Sequence, residues 1–495
     1  MSKSPIGIGL LGMGVVGGGV ASTLDQKRDQ LTALIGCPLD LKGVLVRDAA
    51  KPRAQKLPHG ILTTNAEDIF NNPEIDIVVE LMGGQDPAFD YIRKSIDQGM
   101  HVVTANKEVM ARHGPDLLLA AQDRNVQVLF EASVAGGTPI IAPLMRDLVA
   151  NEIIGIRGII NGTTNYILTR MANEGADFDA TLKDAQALGY AEADPTNDIE
   201  GIDASYKLAI LATLAFRARV RDTDVFHEGI TKLTARDFQY ADELGYAIKL
   251  LAIANSSDGG VQARVYPALV PQDMMIAKVD GVLNAVEIEA DLAGNLLFHG
   301  AGAGAFPTTS AVLADVIDIG RNIVSSVAPP PSLSLSDDVR IRSMLELETR
   351  YYVRLTTTDR PGVLAQVGTV LGDLNISIAS AIQKEMDDQA KQAEIEWQDV
   401  EIDFHEALPC RRADLDDRFF LGLLRLDELL ARHAQPHHQR AGDQHRRVDA
   451  EADADGQREG EVIQRFAAEE QHRQHHDLGT AVGDDGAGNG AGDGV

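Results

Sequence analysis

Asp203 and Lys207 stand four residues apart in a run, residues 202–216, that is otherwise apolar almost all round. On a helix that spacing puts both side chains on one face. An exposed pair so spaced contributes only about 0.3–0.5 kcal/mol and normally rides on a broad polar face. Here the surroundings are core-forming, so the pair calls for a chemical reason. A lysine desolvated beside one acid changes protonation state readily, which suits proton transfer to an alkoxide formed by hydride addition. Just upstream, Glu192, Asp194 and Asp198 occupy a loop ahead of this helix. They are suited to holding a substrate ammonium group, but composition alone favours a solvated acidic loop. Lys107, closing Thr104-Ala105-Asn106-Lys107, follows a short β-branched run and so falls at the carboxyl edge of a sheet. It faces a ligand there or is an exposed lysine at a helix start, and both readings stay open.

A second constellation binds rather than reacts. Gly12-Met13-Gly14-Val15-Val16-Gly17 is a G-x-G-x-x-G that follows the apolar run 6–11 and opens a helical pattern. Gly12 permits the tight turn, Gly14 lets a pyrophosphate approach the backbone, and Gly17 lets helix and strand pack closely. The helix start then offers free N–H groups to the anion. The next apolar run, 41–46, leads into Arg47 and Asp48. An acid at that place grips a ribose 2′-hydroxyl and an arginine accepts a 2′-phosphate, so Arg47 leans the reading to NADP with NAD left open.

The elements needed to position these residues are legible. Residues 6–11, 75–81, 101–104 and 126–130 are β-branched runs, alternating with helical patterns at 15–24, 87–98 and 108–123. That rhythm predicts an α/β fold with a parallel, Rossmann-type sheet over residues 1–134. Residues 135–326 mix long helical patterns with strands such as 282–289 and predict a second, α+β domain. Three consecutive prolines, Pro329 to Pro331, mark a linker over 327–349. Residues 350–385 begin a third unit with strand 351–357, helix 362–374 and strand 376–383. Beyond 386 the alternating patterns fade into Gln-, Asp- and Arg-rich text, and residues 479–495 hold too little apolar surface to order themselves.

Composition removes several function classes. The chain of 495 residues carries 74 acids against 45 bases, a formal charge of -29, which disfavours nucleic acid and anionic membrane as partners. No run approaches the roughly 20 apolar residues a bilayer demands, and no signal peptide precedes the first strand. Two cysteines far apart, Cys37 and Cys410, give no disulfide framework, fit a cytoplasmic location, and lie too far from the expected cleft to serve as a thiolate nucleophile. Reversible reduction of an aldehyde needs only hydride and proton transfer. Two other readings stand beside it: a non-catalytic nucleotide and amino-acid sensor, and a dehydrogenase for another amino acid or hydroxy acid.

Taken in order, Gly-Leu-Leu-Gly-Met-Gly-Val-Val-Gly at 9–17, Val-Thr-Ala-Asn-Lys at 103–107, Glu-Ala-Ser-Val-Ala-Gly-Gly at 131–137, Asn-Gly-Thr-Thr-Asn at 161–165, Leu-Gly-Tyr-Ala-Glu-Ala-Asp-Pro at 188–195 and Gly-Ile-Asp-Ala-Ser-Tyr-Lys at 201–207 resemble homoserine dehydrogenases. That family reduces L-aspartate 4-semialdehyde to L-homoserine with NADPH or NADH, a step toward threonine and methionine. The resemblance implies that Lys207 is the acid/base lysine and Asp203 its substrate-side partner. It implies that Glu192 binds the amino-acid end of the substrate, with Asp198 beside it, and that Lys107 lies next to nicotinamide and substrate. Thr104, Gly189 and Gly302 match cofactor-touching positions. A monovalent cation such as Na+ is implied on the main-chain carbonyls of Glu131, Val134, Gly136 and Thr138. Residues 350–385 resemble the start of an ACT domain, with Asp359-Arg360-Pro361-Gly362 at its helix entry, implying a threonine effector. Past residue 385 the expected strands give way to an aberrant or disordered tail, 386–495, which reads as frameshifted or else as a natural divergent end. A homodimer through the second domain follows by the same resemblance, as does a single-function form without a kinase half.

Overall fold

Ile6, Ile8, Leu10 and Leu11 are buried along strand β1 (Ile6–Leu11), as a central strand covered on both faces requires. The computed structural model describes residues 4–53, 57–257, 260–329, 334–336, 338–346, 350–359, 361–373, 376–385, 403–404 and 458–465. In chain order β1 is followed by α1 (Val15–Gln26), α2 (Arg28–Ile35), β2 (Leu39–Leu45), β3 (Leu62–Thr63), α3 (Glu67–Phe70), β4 (Ile77–Glu80), α4 (Ala88–Asp97), β5 (His101–Thr104), α5 (Lys107–Asp123) and β6 (Val128–Leu129). The strands form one parallel sheet in the order β3-β2-β1-β4-β5-β6. Strand order reverses between β1 and β4, so the crevice for a ligand opens at their carboxyl ends. Neither α2 nor β3 was anticipated. Helix α2 buries only Leu31 and Ile35, and β3 is two residues long, too little of either for periodicity to register.

The chain continues through β7 (Ile153–Ile159), α6 (Gly162–Glu174), α7 (Phe178–Ala187), α8 (Thr196–Ile199), α9 (Ile202–Phe216), β8 (Phe226–His227), α10 (Ala235–Glu243), β9 (Tyr246–Ser257), β10 (Gly260–Pro271), β11 (Leu283–Ala290), β12 (Gly294–Ala301), α11 (Ala305–Ser325) and β13 (Arg340–Ile341). A second sheet runs β12-β11-β7-β9-β10-β13, with β8 also on β10; apart from the parallel β8 and β13 pairings its neighbours are antiparallel. Helix α9 buries ten of its residues, Leu208 to Leu214 among them, in a core shared with α5, α6 and the second sheet.

Helix α11 departs from the expected division at residue 134. Its residues Ala311, Val312, Leu313, Val316 and Ile319 join the core of α1, α2 and the first sheet. An apolar stripe on a helix does not say which sheet it covers. The expected linker is pinned as well: Ser336 bridges to Ala218, and β13 pairs with β10.

These elements make up one unit, residues 1–344, and residues 345–495 make up another. The second contains β14 (Tyr352–Asp359), α12 (Val363–Asp373), β15 (Ser380–Glu385), β16 (Asp403–Phe404) and β17 (Arg458–Arg465), paired antiparallel in the order β15-β17-β14-β16. Val353, Leu355, Val363 and Val367 form its small core. Of the expected aberrant tail, β16 and β17 are described, and the rest, Cys410 included, lies outside the described residues. Among the described residues no helix is long and apolar enough to cross a membrane.

Candidate active site

The glycine turn has the geometry its spacing demanded. Gly12 sits at φ +93°, where a Cβ would lie 2.8 Å from the Leu81 carbonyl oxygen, and a Cβ on Gly17 would lie 2.3 Å from the Gly12 oxygen. Gly14 caps α1 without a side chain and has open space around it. Main chain and helix N-terminus are thus presented to an anion, which is the fit a dinucleotide pyrophosphate needs. Val15 is exposed, while Met13 and Val16 are half-buried. Arg47 is exposed just past β2, and Asp48 turns back on its own loop by accepting from Ala50 N at 2.8 Å. At Gly302 the Asn284 amide occupies the place a Cβ would take, 2.0 Å away. Gly189 follows α7 at φ +76° in open space.

Across this edge α9 brings in the reactive pair. Lys207 Nζ donates to Asp203 Oδ2 at 2.6 Å and to the Ile160 carbonyl at 2.8 Å, so one of its three N–H bonds has no partner among the described residues. Lys107, the first residue of α5, lies 2.5 Å from Asp203 Oδ1. Asp203 is only 3% exposed. Burial alone would raise its carboxyl, but the Lys207 and Lys107 ammoniums outweigh that and hold it well below the usual carboxylate range. Partial desolvation pulls Lys107 down, and Asp203 more than reverses this, leaving the ammonium raised. The result is a fixed carboxylate between two cations, one from each sheet's helical layer.

Asn161 was quoted in a motif but given no task by sequence. Its Nδ2 donates to Asp198 Oδ1 at 2.7 Å and Asp203 Oδ2 at 2.9 Å, while its Oδ1 accepts from Thr164 N and caps α6. Asp198 is therefore drawn into the cluster, where burial and then the neighbouring Asp203 charge push its carboxyl up. Glu192 lies apart from the cluster on the exposed loop after α7, with its main-chain oxygen accepting from Gln186 Nε2 at 3.0 Å.

Thr104 spends its side chain on structure. Its Oγ1 donates to buried Glu80 Oε2 at 2.6 Å and accepts from Asn106 N at 3.0 Å, so what it leaves for a nucleotide is main chain. Burial pushes the Glu80 carboxyl up against the hydrogen bonds it receives. Asn106 in turn caps α5 through Val109 N and donates to the Gly84 carbonyl at 2.7 Å, fixing both the helix that presents Lys107 and the loop after β4. A strand-to-helix N-cap signature was available in the sequence at Asn106 and at Asn161.

The turn 131–138 joins the two halves of this unit. The Glu131 carboxylate accepts from Ile140, Ile141 and Ala142 N–H at 2.6, 2.9 and 2.7 Å, and Glu131 N donates to Asp315 Oδ2 on α11 at 2.9 Å. Burial raises the Asp315 carboxyl well above its usual range. Ala135 and Gly136 both adopt positive φ, and Thr138 Oγ1 is buried with no hydrogen-bond partner.

A glycine turn shaped for a dinucleotide on the same sheet edge as Lys107, with Lys107 and Lys207 sharing the Asp203 carboxylate, is what a pyridine-nucleotide dehydrogenase requires. Family models agree in order along the chain: the homoserine dehydrogenase NAD-binding domain over residues 12–131, homoserine dehydrogenase over 139–317, and the ACT domain over 351–405, which runs past the boundary expected at 385. A homoserine dehydrogenase of Synechocystis is 46% identical over 411 residues, covering 81% of this chain and 94% of its own length. One from Neisseria gonorrhoeae is 43% identical, covering 78% and 89%. The crystal structure of a homoserine dehydrogenase from Thiobacillus denitrificans superposes with a TM-score of 0.73 at 47% identity, covering 77% of this chain and 89% of that one. A hyperthermophilic archaeal homoserine dehydrogenase in complex with NADPH gives 0.56 at 25% identity, covering 66% and 100%. The chain belongs to the homoserine dehydrogenase family, NAD(P)-dependent oxidoreductases acting on a CH–OH group.

Proposed function

We propose that this chain interconverts L-aspartate 4-semialdehyde and L-homoserine, with Lys207 as the proton donor and acceptor at the substrate oxygen. The observation that carries the reading is the Lys207 ammonium, anchored by Asp203 and the Ile160 carbonyl with one N–H left to offer. A bound nicotinamide supplies hydride to the carbonyl carbon or removes it from the alcohol carbon. In reduction Lys207 passes its proton to the developing alkoxide; in oxidation it takes the hydroxyl proton back. Asp203, ionised between two ammoniums, keeps Lys207 oriented. Lys107 adds positive charge at the carboxyl edge of β5 and draws the substrate carboxylate or nucleotide toward it. Asp198 and the exposed Glu192 receive the substrate ammonium group.

The exposed Arg47 favours NADP through the 2′-phosphate, with NAD as the weaker cofactor. Gly12, Gly14 and Gly17 cradle the pyrophosphate; Thr104, Gly189 and Gly302 approach the cofactor through main chain. A monovalent cation fits the 131–138 turn, where Thr138 Oγ1 is a buried oxygen lacking a partner and Ala135 and Gly136 adopt positive φ. Its role is to hold the turn, with Glu131, Val134, Gly136 and Thr138 as carbonyl donors. The ACT-matching residues bind a threonine effector, and the chain works as a homodimer in the cytoplasm. Purified protein given L-homoserine and NADP should show the rising absorbance of reduced nicotinamide, and 2-hydroxy acids lacking the amino group should not. Turnover of those acids at rates equal to homoserine would overturn the substrate assignment.

A further inference from the structure

We propose that Asn161 is a positioning residue for proton transfer: its side-chain amide donates to Asp198 and Asp203 together and so locks the substrate-side carboxylate and the Lys207-orienting carboxylate into one frame. The inference rests on the reading of Lys207 and Asp203 given above. Asn161 is 5% exposed, and the identity of its two side-chain atoms is fixed by their neighbours. Thr164 N can only donate, so the atom 2.9 Å from it must be the carbonyl oxygen. That leaves both amide hydrogens for Asp198 Oδ1 at 2.7 Å and Asp203 Oδ2 at 2.9 Å. A turned-over amide would set N–H against N–H on one side and oxygen against two carboxylates on the other.

Helix capping accounts for only half of this. A cap needs an acceptor, and Asp or Ser would serve α6 as well as Asn does. The donor half has a separate consequence. Asp198 on α8 and Asp203 on α9 are two carboxylates in one half-buried cluster; Lys207 of α9 and Lys107 of α5 both pair with Asp203 and neither with Asp198. The amide is the neutral group that gives each of the two acids an N–H while they share one site. Asp203 Oδ2 accepts from Lys207 and Asn161 together, so a shift of the amide shifts the ammonium that carries the proton.

Asn161→Asp separates the two halves, since it keeps the capping acceptor and replaces both donors with a third carboxylate. The test measures kcat and KM for L-homoserine with NADP on the full chain across pH, beside thermal unfolding. The midpoint should stay within about 3 °C of the parent, while kcat/KM at about pH 8.5 falls by at least about thirtyfold. On going to about pH 6 the variant-to-parent ratio should rise at least about fivefold, because a proton taken up by the carboxylate cluster restores one donor. A ratio flat across pH, or parent-like rates throughout, would overturn the proposal. If Asn161→Asp fails to fold, Asn161→Ser, which keeps an acceptor and one donor, should lower kcat/KM about tenfold with its fold intact; full activity there would overturn it equally. Should Lys207→Ala itself retain activity, the underlying reading fails instead.

Discussion

Lys107 Nζ and Asp203 Oδ1 meet at 2.5 Å, joining the first residue of α5 to the second residue of α9. Through this contact the carboxyl edge of the parallel sheet and helix α9 share one carboxylate, because Asp203 Oδ2 is held by Lys207. Replacing that charge with an isosteric amide leaves two ammoniums facing each other. Asp203→Asn should lower kcat by about 100-fold or more and cost about 2–4 kcal/mol of stability, read by activity and by denaturant unfolding. A carboxyl held below its unfolded value contributes stability that is complete above that unfolded value and fades only as pH falls through the lower folded one. The destabilisation should therefore be equally large from mildly acidic to mildly alkaline pH.

Asp198 shows the opposite sign. Burial and the Asp203 charge raise its carboxyl, so stability that is complete below its unfolded value is lost as pH rises through the higher folded one. Asp198→Asn should raise the thermal midpoint by about 1–3 °C in neutral buffer, with the gain vanishing as pH falls below the ordinary carboxylate range. Substrate KM should rise in the same variant, since a charge facing the substrate ammonium is lost. Scanning calorimetry at several pH values, paired with kinetics, checks both outcomes.

Arg47 is exposed just past β2, and on the proposed reading its guanidinium meets the 2′-phosphate of NADP. Arg47→Ser should raise KM for NADPH by about tenfold and leave KM for NADH within about twofold, because the change removes a partner only the 2′-phosphate has. Equal losses with both cofactors would detach Arg47 from cofactor choice.

Much of this architecture could be read from the chain. Strands β1 and β5 and helix α9 fall at the boundaries their patterns predict, because each is long or strongly patterned for its type and ends at glycine, an Asn cap or a change of polarity. The glycine turn was legible for the same reason, since its spacing is the mechanism. The i, i+4 relation made Asp203 and Lys207 visible, and their 2.6 Å contact follows from helix geometry. Asn161, Glu80 and Asp315 were not legible: each acquires its role from partners 24 to 184 residues away, and no local pattern encodes such a meeting. Glu192 shows the converse, a residue placed by resemblance that stands exposed on its loop. The attachment of α11 to the first sheet escaped because its apolar stripe fits either core.

The central claim is that Lys207 moves the proton. Its most direct test is steady-state kinetics of Lys207→Ala in both directions, with NADP(H) affinity measured separately by fluorescence. The account predicts that kcat drops by about 1,000-fold or more while cofactor affinity stays within about threefold, because the lysine acts at the substrate oxygen and only in the transition state. A variant that keeps kcat near the parent value would contradict it.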